Sequence, residues 1–290
     1  MVMGVAGCCP HEPPVKPPYT GRTDAMEQVI IAINHNAAAI PTLWTQLDYT
    51  ATIVDPQKQT TDTFSGDGSL IYARPISLLL DGNANIAGKA FELGSNGDEF
   101  WVQVRASADS FNYWWGNYKN LGRPGCKPIP IRPDMVLHVL GIGLYEPNFL
   151  EQPVPVMRFD NDADAYIFDR NVTVGDHWET QEEIWYDRQT KLPKRVLIYG
   201  ENGRIVLKAD LSDQVPVEVR DKPQDQWPKV AKHYDLTFVD TQSHISFDFY
   251  TPKLKNKIGP APAVPNGNTF IRQDPEGKNN IIQIDADVNQ

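Results

Sequence analysis

The chain has 290 residues, 41% apolar and 22% charged, enough to build a packed core, so global disorder is excluded. Acidic residues outnumber basic ones 37 to 27, a net charge of −10 and the opposite of the balance a nucleic-acid binder carries. Proline is in excess, 24 residues against an average of about 5%, which argues against a helix-rich enzyme. Most of these prolines fall in residues 10–18, 124–133, 147–155 and 252–275, which read as extended connectors.

The first motif is Val5-Ala6-Gly7-Cys8, which has the shape of a lipobox: a branched apolar residue, two small residues, then a cysteine. Small residues let a peptidase reach the backbone, and the Cys8 thiol would receive a diacylglycerol anchor. The proline-rich residues 10–18 would then be its tether. Only seven residues precede Cys8, less than the basic and apolar regions a signal peptide needs, so an unmodified N-terminus with two inert thiols stays open. With Cys8, Cys9 and Cys126 there is no C-x-x-C pair, so neither a thioredoxin-type nor a zinc-ribbon site is supported.

Thr23 is placed to cap a helix over residues 24–39, with Met26, Val29, Ile30, Ile33 and Ala37 at helical spacing. The period then changes to two. Tyr49, Ala51 and Ile53 alternate with polar residues. Phe64, Leu70 and Tyr72 share one face of the next strand, where Gly66 and Gly68 permit sharp coiling. Ile76, Leu78 and Leu80 make a third strand ended by Asp81-Gly82. Residues 87–93 make a fourth, and Phe100, Val102 and Val104 a fifth.

Residues 111–118 hold Tyr113, Trp114, Trp115 and Tyr118, read as an aromatic knot, and residues 134–140 as a short helix after Pro133. Strands resume at 157–160, 165–170, 178–187, 193–199, 205–211, 235–239 and 245–250, with residues 280–285 as a last edge strand. Tight connections make neighbouring strands antiparallel, and the absence of βαβ alternation argues against Rossmann and TIM folds. Several strands carry large apolar groups on both faces, as at Ile184, Trp185 and Tyr186. Both faces are therefore partly covered, as in a curved sheet around a helix or a cavity.

No G-x-S-x-G, H-E-x-x-H, Walker or G-x-G-x-x-G motif is present, and the six histidines are scattered. His177 and Glu179 can share a strand face, read first as a solvated pair. Asp160, Asp162 and Asp164 alternate like the start of a calcium loop, but Ala165 and Asn171 stand where Gly and Glu are needed, which favours a polar hairpin turn. Nothing singles out a catalytic residue, a metal ligand or a cofactor site.

One ordered set of motifs is more specific. Gly66-Asp67-Gly68-Ser69-Leu70-Ile71-Tyr72-Ala73-Arg74-Pro75 runs into an apolar strand, followed by Ser95-Asn96-Gly97-Asp98-Glu99-Phe100-Trp101. Downstream come Trp185-Tyr186-Asp187-Arg188, Tyr199-Gly200-Glu201-Asn202-Gly203 and Phe247-Asp248-Phe249-Tyr250-Thr251-Pro252. Over residues 21–252 this order resembles the periplasmic outer-membrane lipoprotein carriers and receptors, the LolA/LolB-like superfamily. The carriers are usually shorter, and residues 111–155 and 253–290 have no counterpart in them.

The resemblance implies an α+β fold: an unclosed, strongly curved antiparallel β-sheet, a half-barrel, wrapped around N-terminal and central helices. Residues 1–20 would be the lipobox remnant and tether. Residues 21–252 would form the lipid-binding domain with an insertion at about 106–156, and residues 253–290 a tail. The expected activity is non-enzymatic binding of lipid or lipoprotein acyl chains in the bacterial periplasm, with the membrane reached through Cys8. The expected ligand-binding residues are Met26, Ile30 and Ile33 on the first helix, with Phe64, Leu70, Tyr72, Leu78, Leu80, Phe91, Phe100 and Val102 on the strands. Arg74 falls where the carriers have an arginine that holds the lid shut through backbone carbonyls. A protein-binding sensor using Trp114 and Trp115 is the first rival, and a hydrolase with a cleft of perturbed carboxylates or histidines the second.

Overall fold

In a computed structural model the described residues are 17–55, 59–84, 88–107, 110–121, 123, 125–127, 133–146, 148–200, 203–220, 222–251, 258–259, 269–275 and 280–288. Cys8, Cys9 and the N-terminal tether lie outside them. Helix α1 spans Met26–Ala38, and its buried stripe is the one the spacing predicts: Val29, Ile30, Ile33 and Ala37. Each large side chain on that stripe stabilises the fold by about 1.5–3 kcal/mol. Thr23 does not cap the helix. Extended Ala25 precedes the first turn, with no side-chain cap. Its neighbour Asp24 is tied to the sheet instead: the Tyr166 hydroxyl accepts from the Asp24 amide at 2.7 Å and donates to its carboxylate at 3.0 Å. Lys191 pairs with the same carboxylate at 2.6 Å.

Strands β1 (Thr42–Asp55), β2 (Thr60–Ala73), β3 (Ser77–Ala84), β4 (Gly88–Ser95), β5 (Glu99–Ser107) and β6 (Ser110–Asn117) form an antiparallel meander. Two readings are corrected here. Asp81-Gly82 does not end β3: Asp81 Oδ1 accepts from Ser69 N and Oγ at 3.0 and 2.9 Å, so the pair lies inside the ladder. Residues 111–118 are not a knot. Phe111, Tyr113, Trp114 and Trp115 lie in β6, with Trp114 opposite Val102 and Trp115 opposite Trp101, and Tyr118 begins a short 3₁₀ turn after it.

Helix α2 (Pro133–Val139) follows, begun by proline and ended by Gly141 at φ 74°, a left-handed position that glycine takes without a steric penalty. A second meander comprises β7 (Val154–Asp160), β8 (Ala165–Val174), β9 (His177–Asp187), β10 (Pro193–Tyr199) and β11 (Ile205–Ser212). Strands β12 (Val215–Pro216) and β13 (Lys229–Val230) pair separately, and β14 (His233–Phe238) and β15 (Ser243–Tyr250) complete the series. Strand β15 pairs with β1, joining the two meanders into one sheet of 14 strands whose outer strands are β7 and β16 (Ile281–Gln283). These two do not pair, so the sheet is unclosed among the described residues. Among the described residues every pairing between these strands is antiparallel except that of β16 with β6.

The sheet curves sharply where glycine allows it. A Cβ on Gly66 would sit 1.8 Å from the Asn83 carbonyl oxygen and 2.9 Å from the Tyr49 ring, an approach closed to any other residue. Apolar residues of α1 and α2 share one buried cluster with those of both meanders. The C-terminal region contributes as well: Ile258, Phe270 and Ile284 are buried, and Asp285 accepts hydrogen bonds from the side chains of Asn117 and Asn120. Among the described residues no helix is long and apolar enough to cross a membrane.

Candidate functional site

Alternation along the strands sends one set of side chains to the concave side. Leu47, Tyr49, Ala51 and Ile53 of β1 do this at a period of two, and Ile245 and Phe247 of β15 continue the row. With Phe64, Phe91, Val102 and Val104 they bound a cavity of about 350 Å³. Helix α2 covers one end with Val136, Val139 and Leu140, spaced at i, i+3 and i+4. The small side chains of Ala51 and Ala90 leave space that larger ones would fill. Burial, with Asp67 adding to it, raises the pKa of the Tyr49 phenol above its ordinary value, so that ring enters the cavity neutral.

Of the residues singled out in the sequence, Phe64, Leu80, Phe91 and Val102 border this cavity. Leu70, Tyr72 and Leu78 lie in the core, at most 1% exposed, and do not line it. Phe100 packs against Tyr118, with ring centroids 5.0 Å apart. Ile30 and Ile33 belong to the core and Met26 packs on its margin, so the helix at the cavity is α2 and not α1. Trp114 lines the cavity, and Trp115 lies beneath the Arg272 guanidinium, 3.8 Å from its ring centroid.

Arg74 sits at the turn between β2 and β3, facing the end of α1. Its Nη2 donates to the carbonyls of Ala37 and Ile40, each at 3.1 Å, and to that of Ala38. Its amide donates to Pro41 O at 3.0 Å. A cation here satisfies carbonyls left over at the helix end and matches the negative end of the helix dipole. Two asparagines fix the same helix. Asn34 exchanges both amide hydrogen bonds with the Tyr145 backbone, at 2.8 and 2.9 Å, and Asn36 does so with Lys229.

Two polar depressions lie elsewhere. One of about 390 Å³ holds Asp48, Asp67 and Asp248, directly opposite one another across three strands. The other, about 480 Å³, holds Asp169 and Glu183. Burial and the Glu183 carboxylate raise the Asp169 pKa. Arg158 lies 2.7 Å from Glu183 and 3.7 Å from Asp169, and Trp185 and Tyr199 donate to Glu183. Both carboxylates are thus engaged in an ion-pair network. His177 and Glu179 form an exposed pair at 2.9 Å. In the β7–β8 turn Asp160 accepts from the Ala163 amide, and Asp164 pairs with Arg188, as a polar hairpin turn requires. Among the described residues no cluster of three histidine, cysteine or acidic side chains is placed to hold a metal ion.

Missed in the sequence were the α2 contacts, the β14–β15 wall and Arg105, which also reaches the cavity. The first two carried a signal: helical spacing in 134–140 and alternation in 245–250. The chain matches no protein-family model, and no curated protein matches it in sequence. Among solved structures it is similar to a DUF1329 family protein from Desulfovibrio piger, at a TM-score of 0.51 and 12% identity, over 85% of this chain and 98% of that one. It is also similar, at a TM-score of 0.45 and 12% identity, to a LolA superfamily protein from Nitrosomonas europaea, over 84% of this chain and 97% of that one. The fold of the chain is that of the Desulfovibrio piger DUF1329 protein.

Proposed function

We propose that the protein binds an acyl chain non-covalently in the cavity between the curved sheet and α2, as a carrier or receptor in the bacterial cell envelope. The observation that carries this reading is the cavity itself: about 350 Å³ of space with walls from β1–β6, β14, β15 and α2, lined mostly by aliphatic and aromatic side chains. Such a space excludes water and rewards an apolar occupant by about 0.8 kcal/mol per buried CH₂. The sheet wraps around both helices, α1 as a fixed plug secured by Arg74, Asn34 and Asn36, and α2 as the cover of the cavity. Binding and release of a chain need no bond to be made or broken, so the role is not enzymatic. Cys8 would hold the protein at the membrane, and residues 253–290 would brace the sheet as well as extend it.

Native mass spectrometry of protein purified without detergent from its source membranes tests the reading. An adduct with the mass of an acyl lipid is expected, and it should disappear in Ala90→Phe, which fills the cavity. Repeated absence of any lipid in the wild type would contradict it.

A further inference from the structure

One part of the concave face carries almost no side chains. In the strand register Leu47, Gly68, Gly82 and Phe91 form one row across β1–β4, and Tyr49, Gly66 and Ala84 form the next. Opposite residues of paired strands point to the same face, so Gly66, Gly68 and Gly82 share the face of Leu47 and Tyr49. None of the three has a left-handed φ, so the backbone conformation does not call for glycine at these positions. Close neighbours do.

Two rings lie over this glycine floor, one from each side. Tyr49 leans over Gly66. A Cβ on Gly82 would sit 2.3 Å from Cε1 of Phe91, and its three nearest neighbours all belong to that ring. The rings meet edge to face, with centroids 5.4 Å apart and planes at 71°. A bulge aims Phe91 there: the β3–β4 register slips between Gly82 and Asn83, which leaves Ala90 without a partner, and both Ala90 and Phe91 border the cavity. Gly66 and Gly68 cannot take a side chain, because a Cβ would meet the carbonyl oxygens of Asn83 and Asp81 at 1.8 and 2.0 Å. Gly82 is different, since its neighbour is a side chain that can turn to another rotamer. With the sheet beneath it, a displaced Phe91 ring turns into the cavity. That space is at the small end of ligand sites, about 350 Å³ where they span about 300–1,000 Å³, so one ring changes what fits.

We propose that Gly82 is a specificity-determining residue of the cavity: it lets Phe91 lie flat, and so sets the length of the single unbranched chain that the cavity accepts. This rests on the acyl-chain reading above.

The experiment is displacement of the neutral fluorophore N-phenyl-1-naphthylamine by octanol, decanol, dodecanol and tetradecanol, with the fluorophore affinity of each variant measured first. In the wild type, affinity should rise about fourfold per added CH₂ until the cavity is full. In Gly82→Ala the rise should stop at least one alcohol earlier, which costs the longest alcohol about tenfold. Octanol should keep its wild-type affinity, which also shows that the variant is folded. Adding Phe91→Leu to Gly82→Ala should restore the wild-type limit. Phe91→Leu alone should move the limit to a longer alcohol, so the proposal stays testable if Gly82→Ala does not fold. An unchanged limit in Gly82→Ala, equal weakening of all four alcohols, no rescue by Phe91→Leu, or no effect of Phe91→Leu alone would overturn the role of Gly82 and leave the acyl-chain reading standing. No uptake of fluorophore or of any alcohol by the wild type would overturn the acyl-chain reading itself.

Discussion

Replacing Arg74 with glutamine should loosen the C-terminal turn of α1 without unfolding the protein. The guanidinium reaches three carbonyls through Nη2, which has only two hydrogens, so at most two full hydrogen bonds are lost. Bonds to a charged donor contribute about 1.5–3 kcal/mol each when buried. Arg74 is exposed at this turn, so solvent screens it, and the glutamine amide recovers part of one bond. The net loss should be about 1–2 kcal/mol, which lowers Tm by about 2–8 °C in a chain of this size. Urea unfolding gives the energy, and amide hydrogen exchange gives the place. Ala39 and Ile40, whose amides bond to His35 O and Ala37 O, should exchange faster. Val29 and Ile30 should not, because Asn34 and Asp24 hold the earlier turns through separate partners. Arg74→Lys should restore about half of the loss. Unchanged exchange at Ala39 and Ile40 would refute the role given to Arg74, and equal acceleration along all of α1 would refute the independence of the other ties.

Ala90→Phe should reduce uptake of a neutral apolar fluorophore at least about tenfold while changing stability by no more than about 1 kcal/mol, since the ring enters existing space. A large stability loss would show that the space is not there. Burial opposes the charge on His233, but hydrogen bonds with Asp248 and then Asp235 raise its pKa. Its stabilising effect is therefore full below the ordinary imidazole value of about 6.5 and is lost as pH rises through the raised folded value. His233→Asn should thus cost more stability at about pH 5.5 than at about pH 9; an equal cost at both would refute the link. Burial also works against Asp285, but Asn120, Asn117 and Gln283 hold its pKa down to about 2. Its contribution is present above the unfolded value near about 3.9 and is lost as pH falls toward about 2. The Ile284 amide, bonded to Trp115 O, should stay protected from exchange at about pH 4, and early loss there would contradict this.

Much of the strand pattern was legible because it is local. Alternation at Tyr49, Ala51 and Ile53 and the turn at Asn96-Gly97 place strands without knowledge of their partners. Asp81-Gly82 misled for a physical reason: the dipeptide that makes a turn also suits a sharply bent ladder, where Asp81 bonds across to Ser69. Which face of Leu70, Tyr72 and Leu78 meets packed core and which meets empty space was not legible. All alternate alike, and the difference depends on how closely the opposite elements approach. The pairing of β1 with β15 joins residues about two hundred positions apart and leaves no short-range mark. Arg105 was hidden for a related reason, because a register slip reverses the face that alternation assigns. Arg74, by contrast, was found through the motif before Pro75, and the structure supplies its carbonyl partners.

The most direct test is a crystal structure with a terminally brominated dodecanoate, the bromine located by anomalous scattering. The account predicts the bromine inside the cavity, with the chain extending between Phe64 and Phe91. Bromine only on the outer surface, or a cavity closed by its own side chains, would contradict the claim that this sheet encloses an acyl chain.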